Sequence, residues 1–223
     1  MDLLIFDFDG LILDTETVIF QAWTETFESH GATLPLEKWA ACIGTSNEAF
    51  DVYRYLESQT GLPVDREKLD RLHRTRSLEL LTPMKPRPGV LDYFEEARQI
   101  RIPLALASSS NQDWIMGHLS RLGIADIFHS IRTSNDVENV KPHPELYNLT
   151  LTTMGVKPQR ALAFEDSPNG IKAANAAGVF CVAVPNTVTQ HLPVSHADLR
   201  INSMTDITLR ELLHNIQTAR DKA

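Results

Sequence analysis

The apolar positions of this chain form short continuous runs near its start and over its second half, with amphipathic stretches between them. Leu3–Phe6 is an apolar run of strand length, and it stops at the polar, turn-forming group Asp7-Phe8-Asp9-Gly10. A run without polar alternation is typical of a parallel strand that is buried on both faces of a sheet. The pattern therefore predicts a buried strand that delivers two acidic residues into a loop.

Residues 16–83 show helical spacing and no convincing strand. Ile19, Trp23 and Phe27 fall on one helical face, and Gly31 is placed to end that helix. Thr45-Ser46-Asn47-Glu48 has the spacing of a capping box, and the next helix has one face through Ala49, Val52, Tyr53 and Leu56. Asp65 is placed to cap a further helix, with Leu69, Leu72 and Leu80 pointing inward. We therefore predict an all-helical insert.

Helices and strands alternate after the proline-rich connector at Pro83, Pro86 and Pro88. Helices are predicted over 90–100, 113–122, 144–154, 171–177 and 206–220, and strands over 103–107, 131–133, 161–164 and 179–184. Such alternation predicts an α/β fold, a Rossmann-like parallel sheet core with helices on both faces. The predicted domains are a core of residues 1–15 and 84–223 and a helical cap of residues 16–83.

Composition and charge narrow the class of protein. Apolar residues make up 43% of the 223 positions, and 29 acidic residues against 21 Lys and Arg leave a net charge of -8. A net negative charge disfavours nucleic acid and anionic membrane as partners. The N-terminus lacks the basic start of a signal peptide, and no apolar run reaches transmembrane length, so we expect a cytoplasmic protein. We also expect reduced cysteines (Cys42 and Cys181) and a monomer.

Asp7 and Asp9 are the first candidates for chemistry. With a magnesium ion held between it and an anionic phosphate, Asp7 could attack phosphorus and form an acyl phosphate. Asp9 could protonate the leaving oxygen and later activate water. An Asp-x-Asp pair alone also fits a loop cap or a calcium-type cluster.

Three further polar groups follow predicted strands. Ser108 offers a hydroxyl beside a helix start, where a phosphate oxygen would bind, although a serine there is also an ordinary helix cap. Lys141, stiffened by Pro142, could neutralise a transferring phosphoryl group, or could simply be solvated. Glu165 and Asp166 end an apolar strand, where buried acids are costly without a cation, but they also fit a helix-initiating turn. Ligands of such sheets lie beyond the carboxyl ends of the strands, and all four groups fall there in chain order.

These residues resemble the haloacid dehalogenase superfamily of phosphohydrolases, in the branch with a helical cap that includes beta-phosphoglucomutase. The four matching motifs are 7–16, Ser108, Lys141-Pro142 and 165–170. The resemblance implies a small phosphate ester as substrate and a Mg²⁺ cofactor. It implies Asp7 as nucleophile and metal ligand, Asp9 as acid/base and backbone metal ligand, and Asp166 with Glu165 at the metal. Phosphate and substrate binding are expected at Gly10, Gly44, Ser108, Ser109 and Lys141.

Departures from the mutase pattern bear on the reaction. Ile19 stands near the position of a mutase histidine, and no arginine follows Gly44. Arg54, Arg74 and Arg76 remain as cap arginines that could reach the site. We therefore predict a phosphatase, with a beta-phosphoglucomutase-like phosphohexomutase as the alternative. Other classes are a phosphoaspartate signalling module, which is shorter and lacks such an insert, and a non-catalytic binding protein.

Overall fold

The computed structural model describes residues 1–40 and 50–222. Its strands are β1 (Leu3–Phe6), β2 (Leu104–Ala107), β3 (Phe128–Arg132), β4 (Ala161–Glu165), β5 (Phe180–Ala183) and β6 (Leu199–Arg200). Its α-helices are α1 (Thr15–Ser29), α2 (Leu36–Ala40), α3 (Val52–Thr60), α4 (Arg66–Leu81), α5 (Val90–Gln99), α6 (Gln112–Leu122), α7 (Glu145–Met154), α8 (Pro168–Ala176) and α9 (Leu209–Arg220).

The six strands form one parallel sheet in the order β3-β2-β1-β4-β5-β6. The chain moves from β1 outward through β2 to β3, then crosses back to place β4 on the other side of β1. The direction of winding therefore reverses beside β1, and the carboxyl ends of β1 and β4 flank the crevice where ligands of such sheets bind. The predicted α/β core is confirmed.

The two faces of the sheet carry side chains of different size. One face presents large residues such as Phe6, Leu106 and Phe164 to the helices α5, α6 and α9. The other face presents small residues such as Ala105 and Ala163 to α7 and α8. Since successive strand residues point to opposite faces, this alternation within apolar runs builds two separate cores on one sheet.

The helices α1 to α4 lie between β1 and the proline-rich connector, as the sequence predicts, and they share a hydrophobic cluster of their own. Its buried members are Trp23, Phe27, Ala32, Leu34, Val52, Leu56 and Leu69. The prediction that Leu72 points inward is wrong, because its relative exposure is 54%. The buried side of α4 instead follows steps of four through Leu69, Ser77 and Leu81. The capping box at 45–48 lies outside the described residues, and the domain boundaries near 15 and 83 remain predictions.

Two short elements were missed by the sequence pattern. Helix α2 has five residues and β6 has two, so neither is long enough for an apolar pattern to recur along it. Strand β3 begins three residues earlier than predicted, because the side chains of Phe128 and Ser130 are buried while His129 is exposed.

Among the described residues, no helix combines the length and apolar composition needed to cross a lipid bilayer.

Candidate active site

A cleft of about 1110 Å³ opens at the carboxyl ends of β1, β2 and β4. Its lining residues are Asp7, Asp9, Glu16, Ile19, Ser108, Ser109, Ser110, Trp114, Glu138, Asn139, Val140, Lys141, Pro142, His143, Pro144, Asp166, Ser167 and Asn169. The strand register places the ends of these strands at one level, with Phe6 paired to Leu106 on one side and to Phe164 on the other. Residues distant in sequence therefore converge because parallel strands end together.

Asp7 lies at the floor of the cleft, with 6% of its surface exposed. Its backbone N–H donates to the Phe164 carbonyl at 3.1 Å, which continues the β1–β4 ladder by one residue. Its Oδ1 accepts a hydrogen bond of 2.6 Å from Lys141 Nζ. Oδ2 receives no hydrogen bond from the described residues, so one carboxylate oxygen remains available to a ligand.

Lys141 is held by three acceptors on different strand ends. Its ammonium donates to Asp7 Oδ1 at 2.6 Å and to the Ala107 carbonyl at 2.7 Å, and it lies 2.7 Å from Glu165 Oε1. The side chain is 5% exposed, and the following peptide to Pro142 is cis. The alternative of a solvated surface lysine is therefore wrong.

Asp7, Glu165 and Asp166 form a compact group of carboxylates. One oxygen from each lies within 4.8 Å of the others. Glu165 Oε1 accepts from Tyr147, while Glu165 Oε2 is buried without a hydrogen-bond partner in the described part of the chain. Three buried carboxylates with only oxygen donors match the preference of Mg²⁺ or another hard divalent cation. These side chains therefore could hold such an ion.

Burial dominates the electrostatics of this group. It raises the pKa of Asp7 to about 7, with the Lys141 ammonium opposing the rise and Glu165 adding to it. Burial also raises the pKa of Asp166 well above its ordinary value, and Asp7 and Glu165 raise it further. For Lys141, burial acts to lower the pKa, but the two carboxylates outweigh it and raise the pKa above its usual range. A bound cation would stabilise the ionised carboxylates that burial disfavours.

The Asp9 side chain lies apart from the three carboxylates. Its Oδ1 accepts from Trp114 Nε1 at 2.9 Å, and its Oδ2 accepts from Ser110 Oγ at 2.6 Å. Ser108 Oγ lies at the limit of hydrogen bonding, 3.5 Å from the same Oδ2. The expected metal contact of Asp9 concerned its backbone carbonyl and stays a prediction.

Ser108 and Ser109 follow β2 and face the cleft, but Ser108 is not the cap of the next helix. Asn111 caps α6, because its Oδ1 accepts a hydrogen bond from the Trp114 backbone N–H at 2.9 Å. The Ser108 N–H donates to the Arg132 carbonyl at 2.9 Å, so its amide is not available to a ligand. Its hydroxyl oxygen accepts from the Ser110 backbone N–H at 3.0 Å, which leaves the hydroxyl proton for donation to a ligand. Ser109 is exposed at the edge of the cleft.

Gly10 contributes space to the site. Its φ of +78° is left-handed, and a Cβ there would stand 2.2 Å from Asp166 Oδ2. Its N–H already donates to Leu13, and its carbonyl accepts from Arg87 and Asn186. The backbone N–H and carbonyl of Gly10 therefore have their hydrogen-bond partners inside the protein.

The predictions for the cap side of the site have mixed outcomes. Gly44 lies outside the described residues. Ile19 lines the cleft, as does Glu16, whose pKa burial raises to about 8, with Asp9 and Asp7 adding to the rise. Arg76 is ion-paired with Glu25 and Glu79, and Arg54 lies beside Asp51. Neither these two nor Arg74 is among the described residues that line the cleft.

Three supporting residues escaped the sequence analysis. Arg87, in the proline-rich connector, donates to the carbonyls of Gly10, Val184 and Pro185. Asn186 donates to Asp166 Oδ2 at 2.7 Å, and Tyr147 donates to Glu165. Asn186 follows β5 and could have been found by the rule that ligands gather at strand ends. No sequence signal marks Tyr147 or Arg87.

Comparison with known proteins agrees with this geometry. The family model described as haloacid dehalogenase-like hydrolase matches residues 4–184. The chain is 46% identical over 215 residues to "Putative phosphatase YhcW" of Bacillus subtilis strain 168, covering 96% of this chain and 97% of that one. It is 31% identical over 189 residues to a phosphorylated carbohydrates phosphatase of Thermotoga maritima, covering 80% and 82%.

A solved structure gives the same result at the level of the fold. The crystal structure of CbbY from Rhodobacter sphaeroides in complex with phosphate superposes with a TM-score of 0.73 at 29% identity, covering 93% of this chain and 96% of that one. Sequence, fold and the arrangement of carboxylates around a fixed lysine thus agree. The chain therefore belongs to the haloacid dehalogenase-like hydrolases and is a phosphoric monoester hydrolase.

Proposed function

We propose that this enzyme is a magnesium-dependent phosphatase that hydrolyses a small phosphate monoester, a sugar phosphate or a similar metabolite, through a phosphorylated Asp7. The observation that carries the proposal is the pairing of the Asp7 carboxylate with the Lys141 ammonium at 2.6 Å, beside two further buried carboxylates. Attack of a carboxylate on an anionic phosphate needs positive charge next to both groups. Lys141 supplies one such charge and the carboxylates provide a place for a cation.

The proposed reaction has two steps. Asp7 Oδ2 attacks phosphorus, the bond from phosphorus to the ester oxygen breaks, and Asp9 gives its proton to that leaving oxygen. Asp9 then takes a proton from water, the hydroxyl attacks the phosphorus of the acyl phosphate, and Asp7 is released with inorganic phosphate. Ser108 and Lys141 hold the phosphoryl oxygens in both steps.

Mg²⁺ is the proposed cofactor, held by Asp7 and Asp166 with Glu165 beside them. When bound, the ion supplies charge neutralisation for the phosphoryl group and its nucleophile. Asn186 and Tyr147 orient Asp166 and Glu165 through single hydrogen bonds. Such outer partners are expected to affect metal affinity.

Metal binding should be linked to pH in a defined direction. The pKa values of Asp7 and Glu16 are raised to about 7 and about 8, so the metal-free folded protein keeps protons that the unfolded chain has released. Their contribution to the free energy of unfolding therefore falls as the pH rises from about 4 to about 8. Since Mg²⁺ bound to Asp7 would replace the proton on that carboxyl, the increase in Tm that Mg²⁺ produces should be larger at pH 8 than at pH 6. Thermal scans in chelator and in Mg²⁺ test this, and an increase that is equal or smaller at pH 8 would contradict it.

The charges in the cleft support a substrate with one phosphate group. Lys141 is the one lysine or arginine among the described residues that line it, and it is already paired with two carboxylates. The segment 41–49 contains neither Lys nor Arg. Glu16 and Ile19 also line the cleft, and neither carries a positive charge. An uncharged leaving group therefore suits the cleft better than a second anionic group.

We further propose that residues 16–83 act as a cap over a core of 1–15 and 84–223. The cleft joins Glu16 and Ile19 of α1 to the strand ends of the sheet. Opening of the helical insert would admit the substrate, and closure would exclude water other than the attacking molecule.

The test is inorganic phosphate release from a panel of phosphate esters in Mg²⁺. The panel pairs a hexose or polyol monophosphate with the corresponding bisphosphate and includes beta-glucose 1-phosphate. We expect release that excess chelator abolishes, and a kcat/KM that is at least tenfold higher for monophosphates than for bisphosphates, since an unpaired second charge is costly to bind. Release at equal efficiency from both members of each pair would contradict the proposed leaving group.

The same panel separates hydrolysis from group transfer. Conversion of beta-glucose 1-phosphate to glucose 6-phosphate with little phosphate release would make the protein a mutase and overturn the choice of water as acceptor. Absence of both activities on every ester would overturn the proposed substrate class.

A further inference from the structure

Trp114 contacts the side chain of Asp9, the proposed acid/base residue. Its indole N–H donates to Asp9 Oδ1 at 2.9 Å, while Ser110 Oγ donates to Asp9 Oδ2 at 2.6 Å. Each carboxylate oxygen therefore has its own donor: Oδ2 has Ser110, the third residue after β2, and Oδ1 has Trp114 in the first turn of α6. Two donors on two oxygens determine both the position and the rotation of a carboxylate.

The indole itself is fixed by packing. Its ring meets the imidazole of His118 edge-on, with centroids 4.4 Å apart, and His118 in turn lies 5.9 Å from the ring of Phe8, between Asp7 and Asp9. His118 is 7% exposed, and burial lowers its pKa, so the neutral ring can accept from Arg121, 3.4 Å from its Nδ1. Contacts between aromatic rings therefore support the Trp114 donor.

Arg121 connects these rings to the connector through which the helical insert returns to the sheet. Its guanidinium donates to the carbonyl of Thr82 at 3.0 Å and to the carbonyl of Met84 at 2.9 Å. A continuous set of contacts thus runs from the connector through Arg121, His118 and Trp114 to the Asp9 carboxylate.

We propose that Trp114 is a positioning residue that, with Ser110, holds the Asp9 carboxylate in place for proton transfer to the leaving oxygen and from the attacking water. The proposal rests on the role of Asp9 in the proposed function. An aliphatic alkoxide leaves only when it is protonated, whereas a nitrophenolate leaves without a proton. Loss of Asp9 positioning should therefore affect the two kinds of ester differently.

The experiment compares Trp114→Phe, which keeps an aromatic ring but removes the donor, with Ser110→Ala and wild type. The substrates are the best aliphatic ester of the panel and p-nitrophenyl phosphate. We expect kcat/KM to fall tenfold to a hundredfold, an order-of-magnitude range for misplaced catalytic groups, on the aliphatic ester. On p-nitrophenyl phosphate, kcat/KM should change by less than about threefold, because kcat/KM reports steps up to formation of the phosphoenzyme.

The second half of the reaction gives an independent readout. Water activation also needs Asp9, so kcat should fall on both esters, and rapid mixing of Trp114→Phe with p-nitrophenyl phosphate should show a burst of nitrophenolate. Gln112→Ala, an exposed position in the same first helical turn, is the control and should behave as wild type. Equal loss of kcat/KM on both esters, or no loss on either, would overturn the proposal.

Asp9→Asn distinguishes failure of the positioning role of Trp114 from failure of the acid/base role of Asp9. If Asp9→Asn loses the aliphatic ester selectively and Trp114→Phe does not, the positioning role fails while the proposed function stands. If Asp9→Asn itself shows no such selectivity, the acid/base role of Asp9 fails, and the role of Trp114 fails with it.

Discussion

Asp7→Asn is expected to lower kcat for phosphate release by about four orders of magnitude or more, the scale seen when an enzyme loses its nucleophile. An amide oxygen is a poor nucleophile, and the two carboxylates grouped with Asp7 are not placed to replace it: Glu165 is fully buried beneath the cleft, and Asp166 is held by Asn186. Steady-state phosphate release measures the loss of turnover. Acid-quench trapping measures the loss of the phosphoenzyme.

The same substitution should leave the protein folded. Burial already raises the pKa of Asp7 to about 7, so a neutral side chain of the same shape costs little there. Lys141 keeps its contacts with Glu165 and with the Ala107 carbonyl. Asp92→Asn, on the exposed side of α5, is the matched control. It should leave kcat unchanged and lower the free energy of unfolding by no more than about 0.3–1 kcal/mol, the value of a carboxylate in the first turn of a helix. Appreciable phosphate release by Asp7→Asn would assign the nucleophile elsewhere.

Lys141→Met has the second-largest expected effect, and it acts on both activity and stability. Removing one fixed charge from a transition-state site costs about 10²- to 10³-fold in kcat. The substitution also leaves Glu165, which is 0% exposed, without its cation. Removing one partner of a buried ion pair costs about 3–5 kcal/mol in the free energy of unfolding. Urea unfolding in chelator measures this loss.

Two comparisons sharpen the Lys141 prediction. Mg²⁺ should recover part of the lost stability of Lys141→Met, because a cation near Asp7 and Asp166 also neutralises Glu165. Lys141→Arg should not restore activity, since a planar guanidinium cannot place one nitrogen within 2.7 Å of three acceptors on different strands. A Lys141→Met protein as stable as wild type in chelator would show that the ion pair contributes nothing.

The two faces of the sheet carry side chains of different size, and this difference explains how so many charged groups are accommodated at one edge. Alanines on one face allow α7 to approach closely enough for Tyr147 to reach Glu165 through the layer below the cleft. Gly170, at the start of α8, makes room for the same carboxylate, because a Cβ there would stand 1.8 Å from Glu165 Oε2. Small residues in the packing layer therefore determine where the buried carboxylate can sit.

The sequence alone determined the fold class, the order of the main elements and the four groups of residues at the strand ends. Those inferences rest on local features: apolar runs such as Leu3–Phe6, helical spacing in α1, and the rule that parallel strands end at one edge. They also placed Asp7, Ser108, Lys141 and Asp166 on one cleft without knowledge of any distance between them.

Only the tertiary structure decided what each polar atom does. Gly10 and the Ser108 amide have their hydrogen bonds inside the protein, while Trp114, Arg87 and Tyr147 reach the site from distant elements. Asp9 and Trp114 are 105 positions apart in the sequence, and Asp7 and Lys141 are 134 apart. Local sequence patterns encode backbone conformation, but the partner of a side chain depends on packing between elements, which no local pattern contains.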